Sequence, residues 1–399
     1  MRISTQSFYG SALAAMLDQQ AVLSRTQVQV ATGKRVNTPA DDPIAAVHIL
    51  ELERTQLETD QFGKNGEIVR SRLNLEEQAL ADAGTVLQRV RELALQAANT
   101  ATMSDTDRRS VATEIVQRRQ ELADIANRQD AVGEYLFSGF SGLTKPFALS
   151  STGSAVYAGD QGSRLLQVGA SQRVADGHSG FDVFMQVSRG NGTFATGSAP
   201  TNSGTGVIDN GSVVNKAAWV PGDYSLTFVS SSNWQVVDAA SAVVASGTYT
   251  AGTSIAFNGI QVRVAGSPAA GDRFAITGPS SEDIFTTLDT LASSLQQTAA
   301  APADKARLQT ALGGVLQQID QGADHLLGIR AEVGSRLSML DGAESMRENL
   351  KVDIAGSLAN LRDLDYAEAM TRMNQQLVGL QAAQQSYIKI AQLSLFNYL

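Results

Sequence analysis

The chain has 399 residues, enough for two or three domains, and carries 40 acidic against 31 basic side chains for a formal charge of −9. That balance lacks the basic stripe of a nucleic-acid binder, and no apolar run approaches the roughly 18 residues of a membrane span, so neither nucleic-acid binding nor membrane insertion is expected. Cysteine is absent, which excludes disulfides and thiolate metal sites, and an aromatic content of 6% leaves the cores to Leu, Val, Ile and Ala.

In chain order, Met1-Arg2-Ile3-Ser4-Thr5-Gln6-Ser7 lacks the apolar stretch of a cleavable signal peptide, so export is expected to be signal-independent. Leu13, Met16, Leu23 and Val30 then form one narrow helical stripe, the width of a coiled-coil seam. Gln20 and Gln27 fall at seam positions, where polar residues set register. Asp42 is placed to cap a helix with Pro43 in its first turn. That helix is expected from Ile44 to about Ala98, roughly 80 Å long. Within it Leu73, Leu80 and Leu87 recur every seven residues, as do Val86 and Leu93; Gly63 and Gly66 mark either a break or a close packing site. Ser104 with Asp107 three residues on is a box-like start for another helix, lined by Val111, Ile115, Leu122 and Ile125 and ended at Gly133.

Glycine then dominates. Residues 146–280 hold 19 of the 35 glycines but only 13 charged residues, against 35 charged in 1–145 and 23 in 281–399. Helical flanks around a β-rich insert follow. Asp223 to Val229 alternates polar and apolar, Arg273 to Thr277 is a further strand, and Ser254–Phe257 meets Gln261–Val264 across Asn258-Gly259, a hairpin signal. Helical periodicity resumes after Gly278-Pro279 with Ile284, Leu288, Leu291 and Leu295. After Pro302 it runs through Leu308, Leu312, Val315, Ile319, Leu326, Val333, Leu337 and Leu340, and resumes at Ile354, Leu358 and Leu361. A last stripe, Tyr366, Met370, Met373, Leu377, Leu380 and Tyr387, is again seam-like, with Gln384 in it. The fold class is therefore α+β: an elongated antiparallel helical bundle or coiled coil from the two flanks, with an inserted β-rich outer domain. Its expected domains are 1–40 with 365–399 as terminal coiled-coil segments, 41–145 with 281–364 as a helical bundle, and 146–280 as the β domain.

Catalytic and cofactor motifs are not found. His48, His178 and His325 are far apart in sequence, with no His-Glu-x-x-His pair, so a zinc site has no support. His48 and His325 are read as ordinary surface or interface residues. Gly177-His178-Ser179-Gly180 lacks nucleophile-elbow spacing and reads as a turn; Gly190-Asn191-Gly192-Thr193 is not a dinucleotide fingerprint. Asn191-Gly192-Thr193 and Asn210-Gly211-Ser212 match a glycosylation pattern that chance often supplies. Asp41-Asp42 reads as a helix cap, Asp363 and Asp365 as a solvated face, and Arg108-Arg109 with Arg118-Arg119 as a solvated face or an intersubunit ion pair. No catalytic, cofactor-binding or metal residue is assigned and no enzyme activity is expected. The two terminal stripes, Leu13, Met16, Leu23, Val30, Tyr366, Met370, Met373, Leu377, Leu380 and Tyr387, are the candidate site, an assembly interface. Isolated helices of that length are marginal, so each stripe requires a partner helix: within a monomer the stripes would be bundle core, within a polymer contacts between subunits, and the second is preferred because they lie at the chain's extremes.

Several stretches carry a resemblance. Met1-Arg2-Ile3-Ser4-Thr5, followed by the run from Ala31 through Gly33-Lys34-Arg35-Val36-Asn37-Thr38-Pro39-Ala40-Asp41-Asp42 to Pro43, resembles the N-terminus of the bacterial flagellin superfamily, and within it the hook–filament junction proteins. Asp363-Leu364-Asp365-Tyr366-Ala367-Glu368-Ala369 and the ending Leu393-Ser394-Leu395-Phe396-Asn397-Tyr398-Leu399 are similar to that family's C-terminus. Glu134-Tyr135-Leu136-Phe137-Ser138-Gly139 and Gly271-Asp272-Arg273-Phe274 add two further likenesses. The resemblance covers both flanks. It implies a structural subunit of the extracellular flagellum, exported unfolded by the flagellar type III apparatus, whose terminal helices line an inner tube while Gly33 to Pro43 links tube and middle layer. The implied partners are copies of itself, another hook-associated junction protein, filament flagellin and a cytoplasmic export chaperone. Filament flagellin is the alternative within the superfamily. An adhesin or glycan-active module in the insert is the more remote one: it would need clustered carboxylates and aromatic platforms, whereas Trp219 and Trp234 are the only tryptophans and Asp209, Asp223, Asp238 and Asp272 are scattered across separate predicted elements.

Overall fold

The computed structural model describes residues 5–99, 103–150 and 154–392, so Met1–Ser4 of the opening motif and the Leu393–Leu399 ending lie outside the described residues. Six α-helices appear among them: α1 (Thr5–Thr32), α2 (Pro43–Ala98), α3 (Asp105–Ala126), α4 (Ile284–Gln296), α5 (Pro302–Arg362) and α6 (Tyr366–Gln392). The chain divides into two compact units, 1–64 with 342–399 and 65–341, and the two long helices contribute to both.

In the 65–341 unit, α2 and α5 lie antiparallel. Arg70 pairs with Asp341, Glu77 with Arg330 and Arg91 with Asp320, so the partner number falls as the first rises. These exposed pairs fix register more than stability. Stability comes from the heptad leucines: Leu73, Leu80 and Leu87 are at most 1% exposed, as are Val333 and Leu326 of α5. The capping box forms as expected, Ser104 Oγ accepting from the Asp107 amide while Asp107 accepts from Ser104. Yet α3 stops at Ala126 rather than at Gly133. The Asn127 side chain explains the stop: its amide donates to the Phe147 carbonyl at 3.0 Å and its carbonyl accepts from the Phe147 N–H at 2.9 Å, so a tertiary contact replaces the next helical turn. Gly133 instead sits at φ +87° in the turn that follows. No break occurs at Gly63 or Gly66, nor between Leu340 and Ile354, since α2 and α5 each run uninterrupted.

The β-rich region is antiparallel. A five-stranded sheet orders Val243–Thr248, Asn233–Asp238, Tyr224–Ser230, Arg273–Thr277 and Ala195–Ser198. A second sheet pairs Ser254–Phe257, Ile260–Ala265 and Val207–Ile208, with Ser212–Val213 also on Ile260–Ala265. Alternation buries Tyr224, Leu226 and Phe228 from one sheet and Ile260, Val262 and Val264 from the other in a shared core. The Asn258-Gly259 hairpin is present, with φ of +43° and +80° at the two turn residues as a type I′ turn requires. Short strands pair here, Phe147–Leu149 with Ala155–Tyr157, Leu165–Gln167 with Arg173–Ala175 and Val187–Ser188 with Ser281–Glu282, and Phe184 packs on Phe137, Phe147 and Phe285 of α4, with Phe147 also on Phe285, at ring separations of 5.2–6.0 Å. That aromatic cluster draws on both sides of the boundaries expected at 146 and 281.

Of the four arginines only Arg109 is a plainly exposed side chain. Arg108 is 3% exposed and bonded to Asp105, Arg119 reaches Asp289 of α4, and Arg118 pairs with Glu121 at 2.6 Å. For Arg108, Arg118 and Arg119 the ion-pair partners lie within the chain.

Candidate assembly surface

Helices α1 and α6 pair antiparallel. Tyr9 stacks edge-on against Tyr387 at 5.8 Å, a Cβ on Gly379 would stand 3.2 Å from the Gln19 side chain, and one on Gly33 would stand 2.8 Å from the Tyr366 hydroxyl. Where they meet, Lys34 and Asp363 form an isolated antiparallel bridge: the Arg35 N–H donates to the Arg362 carbonyl at 2.6 Å and the Leu364 N–H to the Gly33 carbonyl at 3.0 Å. Gly33 holds φ +68°, a left-handed conformation that costs other residues about 1–2 kcal/mol, which is why glycine ends α1 here.

The Gly33–Pro43 linker is organised by its charges. Asp41 accepts from the Thr38 amide at 2.9 Å, the Thr38 hydroxyl and the Asn37 amide; those bonds, led by the Thr38 amide, hold its carboxyl below the usual carboxylate range. Asp42 caps α2 by accepting from the Ala45 amide at 3.0 Å, which with Arg35 keeps it similarly low. Arg35 also donates to the Leu361 carbonyl at 2.7 Å. Under this linker Val36, Ala45, Ile49, Ile354 and Leu358 make a small buried cluster. Asp365 is not merely solvated; it caps α6 by accepting from the Ala367 and Glu368 amides, while Asp363 is exposed beside Arg362.

The ten stripe residues divide. Leu23 is 6% exposed; Met16, Val30, Met373, Leu377, Leu380 and Tyr387 are half-buried; Leu13, Tyr366 and Met370 are exposed. At 100° per residue, Met16, Leu23 and Val30 point to one side of α1, and Leu380, Tyr387 and the fully buried Ala369 to one side of α6, which marks the intrachain seam. Leu13, Leu17 and Val28 lie roughly 80–140° round from that seam on α1; Tyr366, Met370 and Ile388 lie roughly 60–100° round, in the same sense, on α6. For antiparallel helices, rotation of one sense from the shared seam leads both flanks to the same side of the pair. These six make an exposed apolar face; Val22 and Val378 are also exposed but lie off it. Leu17, Val28 and Ile388 were missed in the sequence reading, although Leu13 and Leu17 stand four apart on the stripe's edge.

In the β region, the acidic residues of the glycan-module alternative serve the backbone. Asp209 accepts from the Gly211 and Arg263 amides, Asp223 from Gly278, Asp238 from Ala240 and Ala242, and Asp272, 2% exposed, from Ser203, Gly204 and Ala269. Trp219 stacks on Phe194, and Trp234 donates to the Thr248 carbonyl. His48 is exposed beside Glu51, and His325 contacts the Asp182 carbonyl. No helix among the described residues is long and apolar enough to cross a membrane.

Family models match both helical flanks: the bacterial flagellin N-terminal helical region over residues 3–141 and its C-terminal helical region over 316–399. The D2-like domain of flagellar hook-associated protein 1 matches residues 198–278, the two-sheet region. The crystal structure of flagellar hook-associated protein-3 from Legionella pneumophila is 34% identical, covers 78% of this chain and 98% of its own, and superposes with a TM-score of 0.76. The chain belongs to the flagellar hook-associated protein 3 family. Flagellar hook-associated protein 3 of Escherichia coli K12 is 25% identical over 100% of this chain and 99% of its own length. The flagellar junction protein FlgL from Legionella pneumophila gives 34% identity and a TM-score of 0.72 over 79% of this chain and 100% of its own. Flagellins are more distant: that of Bacillus subtilis is 31% identical over 35% of this chain and 46% of its own. As a member of the hook-associated protein 3 family, the chain is a structural subunit of the flagellum at the hook–filament junction.

Proposed function

We propose that the apolar face shared by α1 and α6 is the surface through which this subunit assembles with its neighbours in the junction. The observation that carries the reading is the division of the terminal stripes: one edge closes α1 on α6 within the chain, and the other stays exposed on a single side. A pair of helices has no third element to cover that side, and apolar side chains aligned along it gain free energy when another helix does so. Copies of this chain supply such helices directly. A second hook-associated junction protein and filament flagellin, sharing the terminal helical regions, are the proposed neighbours at the two ends of the junction. The ten stripe residues then act in two ways: Met16, Leu23, Val30, Met373, Leu377, Leu380 and Tyr387 shape the helix pair, while Leu13, Tyr366 and Met370, joined by Leu17, Val28 and Ile388, meet the neighbours.

The same face is the natural surface for an export chaperone to shield, and export without a cleaved signal peptide belongs to this reading. The two-sheet region is assigned a peripheral role and no catalysis.

Absence of cysteine makes the test clean. Leu17→Cys and Ile388→Cys, each introduced singly, should give disulfide-linked species between subunits in isolated hook preparations under mild oxidation. Ser241→Cys, on a turn of the five-stranded sheet region, serves as the exposed control. Cross-linking from Ser241→Cys alone, with none from the helical positions, would move the interface to the β region.

A further inference from the structure

The segment Gly177-His178-Ser179-Gly180 does more than turn the chain. The His178 side chain is 8% exposed, and each ring nitrogen faces a carboxylate from a different long helix. Nδ1 lies 2.7 Å from Glu76 Oε1 on α2, and Nε2 lies 3.1 Å from Glu332 Oε2 on α5. An ionised carboxylate only accepts hydrogen bonds, and a neutral imidazole has one N–H to give, so only the doubly protonated ring satisfies both contacts. We propose that His178, as the imidazolium, is a proton-dependent clamp that ties the strand pair Leu165–Gln167/Arg173–Ala175 to α2 and α5 at once.

The surroundings favour the charged ring. Glu76 is 2% exposed, and its Oε2 has no hydrogen-bond partner among the described residues, so the ring supplies the compensating charge nearest to that carboxylate. The His178 amide adds a bond to Glu76 Oε1 at 3.2 Å. Other charges facing the site are already committed. On α2, Arg72 pairs with Asp130, Glu134 and Asp176, and Arg164 shares Asp176 and Glu134. On α5, Arg336 donates to the Gly177 carbonyl at 3.2 Å and stands 3.7 Å from Glu332, opposing the ring's charge. Burial disfavours the imidazolium most, but the bond to Glu76, the charge of Glu76 and the bond to Glu332 outweigh burial and Arg336, raising the titration above the ordinary histidine value.

The sign follows. A raised folded-state value means the clamp contributes fully below about pH 6.5, the unfolded histidine value, and is lost as pH rises through the folded one. Above that point one ring contact loses its proton, and a buried carboxylate next to the strand pair loses its counter-charge. Arg336 on the Gly177 carbonyl still holds the segment, so the change is a loosening rather than a release.

The test is nitrogen NMR of histidine-labelled full-length protein carrying His48→Gln and His325→Gln, which leaves His178 as the single histidine signal. Both ring nitrogens should show imidazolium shifts at about pH 6.5, with a titration midpoint above it. Amides of Val174 to Ser179 should lose hydrogen-exchange protection as pH crosses the midpoint, beyond the intrinsic base-catalysed rise. Glu332 is largely exposed, so Glu332→Gln leaves the fold intact; it should lower the midpoint by about half a pH unit, the weight of one exposed charge pair. A neutral tautomer at that pH, a midpoint unmoved by Glu332→Gln, or protection that ignores the titration would each overturn the proposal.

Discussion

Replacing Leu17 by glutamate separates folding from assembly. Leu17 is 57% exposed, with Leu13 at 50%, Val28 at 49%, Met370 at 41% and Ile388 at 54% on the same side of the α1–α6 pair. Full burial of such a side chain is worth about 1.5–3 kcal/mol, so covering the exposed half of each gives about 1 kcal/mol, and the five together about 4–7 kcal/mol as an upper estimate. In the free subunit, Leu17→Glu removes little buried surface and keeps a good helix former, so stability should change by no more than about 0.5 kcal/mol. In the assembly the same change forfeits its own ~1 kcal/mol and buries an unpaired carboxylate at a further cost of several kcal/mol. A combined loss near ~4 kcal/mol is about a thousandfold in affinity. Leu17→Met, which conserves volume, should behave as wild type in both respects.

Two measurements on the same variants decide the matter: thermal unfolding of the purified subunit by circular dichroism, and occupancy of the junction in cells lacking the wild-type chain. Leu17→Glu should unfold at the wild-type temperature and yet leave hooks without filaments, with flagellin shed into the medium. Junctions formed at normal occupancy by Leu17→Glu would refute the placement of the interface. A large drop in unfolding temperature would instead show that Leu17 belongs to the intrachain seam.

Other expectations are narrower. Gly33→Ala should cost about 1–2 kcal/mol through its left-handed backbone and should speed amide exchange at Leu364 and Arg35, which bridge α1 to the start of α6; unchanged exchange would mean the turn relaxes freely. Phe228, fully buried and stacked edge-on with Tyr249 and Phe274, should lose about 3–5 kcal/mol as Phe228→Ala in urea unfolding, whereas its exposed neighbour as Val229→Ala should lose less than about 0.5 kcal/mol. Asp41 and Asp42 are both held below the ordinary carboxylate value by backbone amides, so their support of the linker is complete above about pH 4 and disappears as pH falls through the lowered values. Protection of the Thr38 and Ala45 amides should therefore persist at about pH 4 and collapse only in stronger acid; collapse already at about pH 5 would contradict the capping geometry.

What the sequence disclosed and concealed sorts by range of interaction. The Ser104–Asp107 box, the Asp42 cap and the Asn258-Gly259 turn are decided by residues two to four apart, and each appears as read. The long periodic stripes likewise appear as the buried sides of α2, α3, α4 and α5. The end of α3 was misplaced because Asn127 is held by Phe147, twenty residues away, and no local signal encodes that contact. Arg108 was read as part of a solvated face or an intersubunit ion pair because charge predicts exposure, but its neighbour Asp105 neutralises it in a buried setting. His178 carried the least signal of all. Its partners lie 102 and 154 residues away, so only the fold brings an unremarkable turn histidine between two helices. For the terminal stripes, periodicity identified an apolar edge without saying which part of it would be spent inside the chain.

That last distinction changes how assembly must work. Stripes with partners only in other subunits would leave the ordering cost of both ends, about 1–2 kcal/mol per residue, to be met at the moment of association. Here α1 and α6 are partners within one chain, and the Gly33–Pro43 linker fixes their junction through the Lys34–Asp363 bridge, the Asp41 and Asp42 caps and the Val36–Ile354 cluster. Part of the ordering is then accomplished before a neighbour arrives, and the arriving helix needs to supply only the side that the pair leaves open. The intrachain seam is itself thin: Leu23 and Ala369 are buried along it, while Met16, Val30, Met373, Leu377, Leu380 and Tyr387 keep part of their surface in water. With the proposed interface, a pair held by so narrow a contact gains from having its open face covered, which would direct the free energy of burial into contacts between subunits rather than into the isolated molecule.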